Sequence, residues 1–250
     1  MSQKSNKILF LFDIDGTLTE PREKISIDFE KYLLQLNTVS NIVLATGSDY
    51  TKVKEQLGSK LLNEIPYVFC CMGNELRKSR NYCVYSKQFK IPDLLKEKLN
   101  FMLKDTKFPF KTGNHFEYRP GMLNFSIVGR NANTQERQAY LNWDNEYGER
   151  KFISNFINNN FPELDALVGG SISIDIIPKG NDKSQVIDYI MNYLDLGEIQ
   201  QIVFFGDRTD PGGNDYSIIK KAETCKKIVC HPVKGPHETF EILKKSYFSP

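Results

Sequence analysis

The sequence predicts an α/β fold whose parallel sheet is assembled from both ends of the chain. Short apolar runs alternate with segments of helical apolar spacing over residues 8–71, and the same texture returns from residue 182 onward. Between these parts, alternating runs and longer helical stretches prevail. Strands that alternate with helices indicate βαβ units. We therefore expect a discontinuous Rossmann-like core over residues 1–82 and 182–250, with an α+β domain inserted over residues 83–181.

The first predicted strand is Ile8–Phe12, in which five apolar residues follow one another without interruption. An unbroken apolar run of this length is typical of a strand buried on both faces, as in a parallel sheet. Asp13 and Asp15 then fall at its carboxyl end, where open α/β sheets have their reactive crevices. Residues i and i+2 of an extended segment point to the same side, and Gly16 allows a sharp turn. We expect an active site here.

The other elements are predicted by the same two periodicities. In the core, we expect strands over residues 41–45, 67–71, 202–205 and 227–230, and helices over residues 27–36, 50–57, 183–194 and 238–247. In the insert, we expect a strand over 82–89, a helix over 91–103, an antiparallel pair over 115–128 turning at Pro120-Gly121, helices over 134–161 split near Gly148, and one strand over 167–177.

Composition disfavours nucleic acid and membranes as partners. Lys and Arg number 33 against 31 Asp and Glu, so no strong charge excess exists for electrostatic binding. The sequence has no run of eighteen apolar residues and no charged-then-apolar leader. The five cysteines are odd in number, and their spacing does not suggest zinc. We expect reduced cysteines and a cytoplasmic protein.

The segment Asp13-Ile14-Asp15-Gly16-Thr17, placed after a buried strand, resembles the first motif of the haloacid dehalogenase superfamily. The resemblance implies that Asp13 is a nucleophile that accepts a phosphoryl group and that Asp15 is a general acid/base. A carboxylate suits this role because an acyl phosphate divides one difficult displacement into two easier ones. The resemblance also implies that Lys183, which opens the first helix after the insert, faces the phosphate.

A second apolar strand ends in Gly206-Asp207, and Gly212-Gly213-Asn214-Asp215 follows at loop distance. Phosphoryl transfer on a carboxylate calls for charge neutralisation, and Mg²⁺ binds a few oxygen ligands together with water and phosphate oxygen. The sequence therefore predicts a Mg²⁺ site. The expected ligands are Asp13, the Asp15 carbonyl and Asp207, with Asn214 and Asp215 holding either those ligands or Lys183 in place.

The strand over residues 41–45 ends in Thr46-Gly47-Ser48. A hydroxyl group and backbone N–H groups at a strand-to-helix turn can bind phosphate. Thr46 is the hydroxyl that the superfamily resemblance implies. Thr46 and Ser48 are both candidate phosphate ligands, and Ser48 is equally a candidate N-cap of the following helix.

Longer blocks, found in order along the chain, resemble eukaryotic-type phosphomannomutases. The blocks are Asp13–Arg22, Gly47–Tyr50, Glu55–Gly58, Glu117–Asn124, Ile127–Arg130, Gln135–Arg137, Gly169–Asp175 and Pro211–Asp215. This resemblance implies that the protein interconverts mannose 6-phosphate and mannose 1-phosphate, with a hexose 1,6-bisphosphate as activator. It also implies a homodimer formed through the inserted domain.

The resemblance further implies which residues bind the hexose phosphate. Guanidinium groups suit a second phosphate site because they bind phosphate oxygens bidentately. Asn133 and Glu136 have the spacing of a helix N-cap and its N3 partner, which predicts a first helical turn at Arg137. The implied substrate-binding residues are Arg22, Arg119, Arg130, Arg137, Ser173 and Asp175.

Two other functions stay open from the sequence: a sugar-phosphate phosphatase of the same superfamily, and a non-catalytic binding paralogue. The residues around Asp13 would support hydrolysis as well as transfer, whereas the arginines favour the mutase. Three places depart from the family: Asn181 replaces a usual Trp, Cys70–Glu75 replaces a usual Pro-Glu-Asn-Gly stretch, and Lys221 bears on ion binding. Lys221 stands where the family usually has an Asp ligand for an extra ion, and we expect the Lys221 ammonium to replace that ion's charge.

Overall fold

A computed structural model describes residues 7–248 of the chain. It divides into two compact units. The core unit comprises the described residues up to Ser86 and from Lys183 onward, and the inserted unit is Lys87–Asp182. Among the described helices, none has the length and apolar character needed to cross a bilayer.

The core unit contains a seven-stranded sheet in the order β11-β10-β1-β2-β3-β4-β5. The first five of these strands are parallel, and β4 and β5 are antiparallel additions at one edge. Numbered along the whole chain, these strands are β1 (Ile8–Phe12), β2 (Asn41–Ala45), β3 (Tyr67–Cys70), β4 (Glu75–Lys78), β5 (Tyr82–Ser86), β10 (Gln201–Gly206) and β11 (Ile228–Pro232).

Burial on both faces of β1 explains its unbroken apolar run. Leu9 and Leu11 pack into an apolar cluster with residues of β10 and of the helix that follows Lys183. On the opposite face, the Phe12 ring stacks on that of Phe205, with the centroids 5.2 Å apart. The predicted parallel-sheet strand is confirmed. The helices of this unit are α1 (Ile27–Val39), α2 (Tyr50–Glu64), α6 (Gln185–Tyr193), α7 (Tyr216–Thr224) and α8 (Pro236–Ser246).

The sequence analysis missed β4 and α7, and it assigned β5 to the insert. Glu75–Lys78 carries mostly polar residues, so its pattern does not resemble that of a buried strand. Because β5 pairs with β4 in the core-unit sheet, the unit boundary falls after Ser86 rather than after residue 82. The second boundary falls between residues 182 and 183.

The inserted unit has a four-stranded antiparallel sheet in the order β6-β7-β9-β8. One sheet face carries Leu123, Phe125, Ile174 and Ile176, which belong to the apolar core of this unit. Side chains alternate along a strand, so the opposite face carries Glu117, Asn124 and Asp175 together with the apolar Met122 and Ile177. The elements are β6 (Phe116–Arg119), β7 (Met122–Phe125), β8 (Leu164–Gly169), β9 (Ser173–Pro178), α3 (Asp93–Asp105), α4 (Thr134–Tyr147) and α5 (Glu149–Asn160).

Two of the predictions for the inserted unit depend on turns, at Gly170 and at Gly148. The single strand predicted over residues 167–177 is wrong, because the chain reverses at Gly170 (φ 50°) and forms the β8–β9 hairpin. The predicted helix break near Gly148 is confirmed. Gly148 adopts a left-handed conformation (φ 66°) that ends α4, and α5 begins at the next residue.

Candidate active site

The site in the core unit begins at two neighbouring parallel strands. Phe12 at the end of β1 is in register with Phe205 of β10. The backbone N–H of Asp13 continues this pairing and donates to the Phe205 carbonyl at 2.9 Å. Asp13 and Asp207 thus follow adjacent strands at the same edge of the sheet, as the sequence predicted.

Lys183 is fully buried between two carboxylates. Its Nζ donates to Asp13 Oδ1 at 2.8 Å and to Asp215 Oδ1 at 2.5 Å. Burial lowers the pKa of Lys183, but the two carboxylates outweigh this effect and raise it above the ordinary value. The lysine therefore stays protonated beside Asp13. The two residues, both predicted for the site, are 170 positions apart in the sequence and are in contact in the fold.

Asp13, Asp207 and Asp215 form an acidic cluster in which one oxygen of each lies within 4.8 Å of the others. Burial raises the pKa of Asp13, and the neighbouring carboxylates add to the shift while Lys183 opposes it. Burial and Asp215 likewise raise the pKa of Asp207 to about 6. Three crowded carboxylates beside one ammonium group call for a further cation.

The side-chain oxygen of Asn214, the residue before Asp215, is a candidate contact for a ligand. Asn214 Oδ1 is buried and has no hydrogen-bond partner among residues 7–248. Asp215 differs, because its Oδ1 accepts from Lys183 and its Oδ2 accepts from the Arg208 backbone N–H at 3.1 Å. The donor set is therefore all oxygen and suits Mg²⁺, with Asp215 already engaged in holding Lys183.

Asp15 is held by four donors, and two of them were missed by the sequence analysis. Its Oδ1 accepts from Gln56 Nε2 and from the Arg22 backbone N–H, each at 2.9 Å. Its Oδ2 accepts from Lys52 Nζ and from Ser48 Oγ. The missed residues, Lys52 and Gln56, are four positions apart and so lie on one face of α2. This spacing is the signal in the sequence that could have identified them.

The electrostatics of Asp15 differ from those of Asp13. Burial raises the pKa of Asp15, but the Lys52 ammonium and the other donors outweigh burial and lower it. Asp15 is thus held ionised, in the form that accepts a proton. Arg22 supplies only its backbone N–H here, at φ 69°, and its side chain is exposed.

The loop after β2 places both predicted hydroxyl groups at the same edge. Thr46 is buried, and its Oγ1 accepts from the Ser48 backbone N–H at 3.1 Å. Ser48 is not the helix cap, because Asp49 caps α2 by accepting from the Lys52 N–H at 2.9 Å. The backbone of this loop is held by Cys71 and Met72, which donate to the Ser48 and Thr46 carbonyls.

In the inserted unit, Glu117 joins two of the predicted arginines. Its Oε1 accepts from Arg119 Nε at 3.1 Å and Nη2 at 3.0 Å, and its Oε2 accepts from Arg130 Nε at 2.6 Å. Burial raises the pKa of Glu117, but the two guanidinium groups outweigh burial and lower it. The glutamate therefore remains ionised between them.

Arg137 lies in the first turn of α4, where the predicted capping box of Asn133 and Glu136 is confirmed. Its guanidinium group donates to the Ala132 and Arg130 carbonyls, each at 2.7 Å. The side chain is largely buried. Arg137 thus fixes the backbone that carries Arg130, so the three arginines belong to one connected arrangement.

Asp175 and Ser173 lie on β9, two residues apart and therefore on one sheet face. Asp175 Oδ1 accepts from Asn124 Nδ2 at 2.6 Å, and Ser173 Oγ donates to the Gly169 carbonyl at 3.1 Å. The register pairs Glu117 with Asn124 and Asn124 with Asp175. One polar row therefore crosses three strands, from the arginines to Asp175.

The fold defines a class of protein: an α/β core assembled from both ends of the chain, with an inserted α+β unit. Solved structures with the same fold include the IMP-nucleotidase of Plasmodium falciparum, with TM-score 0.63 and 19% identity over 97% of this chain and 71% of that chain. The sucrose-phosphatase of Synechocystis has TM-score 0.55 and 13% identity over 95% of this chain and 97% of that one.

Sequence relatives identify the family within that class. Phosphomannomutase 2 of Dictyostelium discoideum is 35% identical over 255 residues, which cover 99% of each chain. The phosphomannomutase of Arabidopsis thaliana is 34% identical over the full length of both chains. The model of the eukaryotic phosphomannomutase family matches residues 29–249. This chain belongs to the eukaryotic phosphomannomutase family.

Proposed function

We propose that this protein is a phosphomannomutase that interconverts mannose 6-phosphate and mannose 1-phosphate, the precursor for GDP-mannose. The observation that carries the proposal is that the chain has two separate cationic arrangements that suit phosphate. The Asp13–Lys183 pair lies in the core unit, and the arginines around Glu117 lie in the inserted unit. A mutase handles a sugar with phosphate at either end, whereas a phosphatase needs only the first arrangement.

Asp13 is the proposed nucleophile and carries the phosphoryl group, first supplied by a hexose 1,6-bisphosphate. The O6 hydroxyl of mannose 1-phosphate attacks the phosphorus, and the bond from phosphorus to the Asp13 oxygen breaks. Asp13 leaves as a carboxylate, which the adjacent Lys183 ammonium stabilises. Thr46 and Ser48 are the proposed hydroxyl contacts of the transferring phosphate.

Asp15 is the proposed general acid/base. It takes the O6 proton as the hydroxyl attacks, because its contacts with Lys52 and Gln56 keep it ionised and oriented. The bisphosphate then turns end for end. Asp13 takes the 1-phosphoryl group, and Asp15 returns the proton to O1, which gives mannose 6-phosphate.

Mg²⁺ is the proposed metal, held by Asp13, the Asp15 carbonyl and Asp207, with Asn214 and Asp215 supporting these ligands. The acidic cluster and the unpartnered Asn214 oxygen support this assignment. When bound, the ion would neutralise negative charge on the transferring phosphoryl group.

The inserted unit is the proposed substrate-specificity cap. Its arginines, Arg119, Arg130 and Arg137, bind the phosphate that is not being transferred. Ser173 and Asp175 bind sugar hydroxyls, and Arg22 of the core unit also contacts the substrate. The polar row across β6, β7 and β9 supports a single binding surface for phosphate and sugar within this unit.

A homodimer formed through the inserted unit and a cytoplasmic location complete the proposal. Leu94 and Phe101 of α3 are seven residues apart, lie on one helix face, and are 57% and 66% exposed. Such an apolar pair suits contact with a second copy.

The five cysteines are free in the described structure, which suits a reducing compartment.

The test is an assay with mannose 1-phosphate, MgCl₂ and catalytic glucose 1,6-bisphosphate that follows mannose 6-phosphate and free phosphate together. We expect bisphosphate-dependent mannose 6-phosphate with little free phosphate. Free phosphate as the main product would identify a phosphatase instead. Absence of both products would favour a non-catalytic binding protein.

Asp13→Asn is the matched variant for this assay. The amide oxygen still accepts a hydrogen bond from Lys183, so the fold is expected to persist, but the amide cannot take up the phosphoryl group. We expect turnover to be abolished and hexose-phosphate binding to be retained. Mutase activity in this variant would overturn the scheme.

A further inference from the structure

Glu117 forms ion pairs with both Arg119 and Arg130 in the inserted unit. Both of its oxygens are used, and each guanidinium group is held through its Nε side. The glutamate side chain is about a quarter exposed, and those of Arg119 and Arg130 are 6% and 12% exposed. The three groups are thus packed together rather than moving freely in solvent.

This contact constrains how the guanidinium groups present their donors. A guanidinium group is a rigid planar fork, so fixing its Nε side sets the direction of its terminal nitrogens. Phosphate binding depends on that direction because the bidentate contact is geometrically specific. Replacing the one Glu117 carboxylate would remove a fixed contact from both guanidinium groups at once.

Another ion pair in the same unit serves as a comparison. Asp144 and Arg150 form a one-to-one buried pair, and Arg150 Nη1 also donates to the Gly170 carbonyl at 3.0 Å. That pair links α4 and α5 to the β8–β9 turn, so its role is to hold the fold together. Glu117 and Arg119 instead lie on the same strand, two residues apart, so their contact adds no link between strands. The contact with Arg130 reaches the segment that follows β7.

We infer that Glu117 is a positioning residue for phosphate recognition: it orients Arg119 and Arg130 toward the phosphate that is not transferred. The inference rests on the proposed function in that it names the hexose phosphate as the ligand. Glu117 is not among the residues proposed for phosphoryl transfer or for the metal. Its loss therefore weakens substrate binding and leaves the chemical step intact.

The experiment compares Glu117→Gln with Glu149→Gln. Glu149 belongs to the same unit, but its partners are Thr106 and Tyr140 rather than arginines. For each variant we would measure thermal unfolding, mutase kcat and KM, and hydrolysis of p-nitrophenyl phosphate, which has no second phosphate. Each substitution would also be combined with Asp13→Asn in a double variant. Calorimetric titration of mannose 6-phosphate into these double variants measures binding without turnover.

For Glu117→Gln, we expect KM for mannose 1-phosphate and the calorimetric Kd to rise about tenfold, as for the loss of a charge-assisted hydrogen bond. The mutase kcat, and the kcat and KM for p-nitrophenyl phosphate, should stay within about twofold of the wild-type values, since the reacting groups are unchanged. Glu149→Gln should lower the unfolding temperature without raising KM or Kd.

Three results would overturn the inference: an unchanged KM and Kd, an equal loss toward both substrates, or the same rise in Glu149→Gln. Glu117→Asp is a second variant in case Glu117→Gln folds poorly. Its shorter carboxylate should recover part of the affinity, and no recovery in a folded protein would contradict the inference. If the wild type lacks mutase activity, the proposed function fails, and the calorimetric ratio alone decides the role of Glu117.

Discussion

The backbone at Gly16 passes so close to Asp207 that a Cβ atom at position 16 would lie 2.5 Å from the Asp207 Oδ2. Gly16 also has φ 74°, in the left-handed region that side chains disfavour. The turn after Asp15 and the carboxylate after β10 therefore approach each other only because residue 16 has no side chain. This approach brings the two strand-end motifs into one acidic cluster.

Gly16→Ala should impair the metal site more than the fold. We expect the clash to displace Asp207 and lower Mg²⁺ affinity at least about tenfold, with about 1–3 kcal/mol lost in the free energy of unfolding. Calorimetry with MgCl₂ and thermal unfolding measure the two effects. Gly58→Ala is the control, because Gly58 has φ 73° but nothing within 4 Å of a Cβ atom. Equal Mg²⁺ affinity in both variants would contradict this explanation.

The raised pKa of Asp207 predicts how Mg²⁺ binding depends on pH. Burial and the Asp215 carboxylate raise that pKa to about 6, so protons and Mg²⁺ compete for Asp207 below this pH. We expect Mg²⁺ affinity at pH 5 to be about tenfold lower than at pH 7. Calorimetric titrations of the wild type at pH 5, 6, 7 and 8 would measure the change.

The raised pKa of Asp207 also determines how the free energy of unfolding changes with pH. In the metal-free protein, the free energy of unfolding contributed by Asp207 falls as pH rises from 3.8 to about 6, because the native state holds the proton more tightly. Mg²⁺ should therefore raise the unfolding temperature more at pH 7 than at pH 5. Asp210→Asn is the control variant, because Asp210 is exposed and lies three residues after Asp207 in the sequence. It should keep the pH dependence of the wild type. Affinity that is flat between pH 5 and 7 would refute the assignment of Asp207 as a ligand.

Lys52 should determine the acid limb of the pH–rate profile. Its ammonium group lowers the pKa of Asp15 against the effect of burial, so Lys52→Met should raise that pKa. The base form is then lost at higher pH, and kcat/KM should fall more at pH 6 than at pH 8. Lys52→Arg keeps the charge and should retain the wild-type profile. Lys54→Met, at an exposed position on the same helix, is the control.

The strand-end motifs could be predicted because their signals are local. The apolar run of β1 ends directly at Asp13, and β10 ends directly before Asp207, so strand and site share one short stretch of sequence. The Asn133–Glu136 capping box is equally local. Each prediction needed only periodicity and the residue types at the ends of an element.

The contacts of Asp15 could not be predicted in this way. Lys52 and Gln56 lie 37 and 41 positions from Asp15 in the sequence, and only the packing of α2 brings them there. The β8–β9 hairpin was missed because both strands carry alternating apolar residues and the turn between them is short. Sheet order and helix packing decide such features, and neither can be derived from a local pattern.

The last prediction concerns Lys221, which pairs with both oxygens of Asp188 and so links α7 to α6. If this ammonium group replaces the charge of the family's extra ion, the protein needs no monovalent cation. We expect kcat/KM to change less than about twofold when KCl replaces tetramethylammonium chloride at constant ionic strength. Lys221→Ala should cost at most about 1 kcal/mol of unfolding free energy, because Asp188 is largely exposed. A clear potassium optimum in the wild type would contradict the replacement, since an ammonium group already occupying the position leaves no role for a second cation.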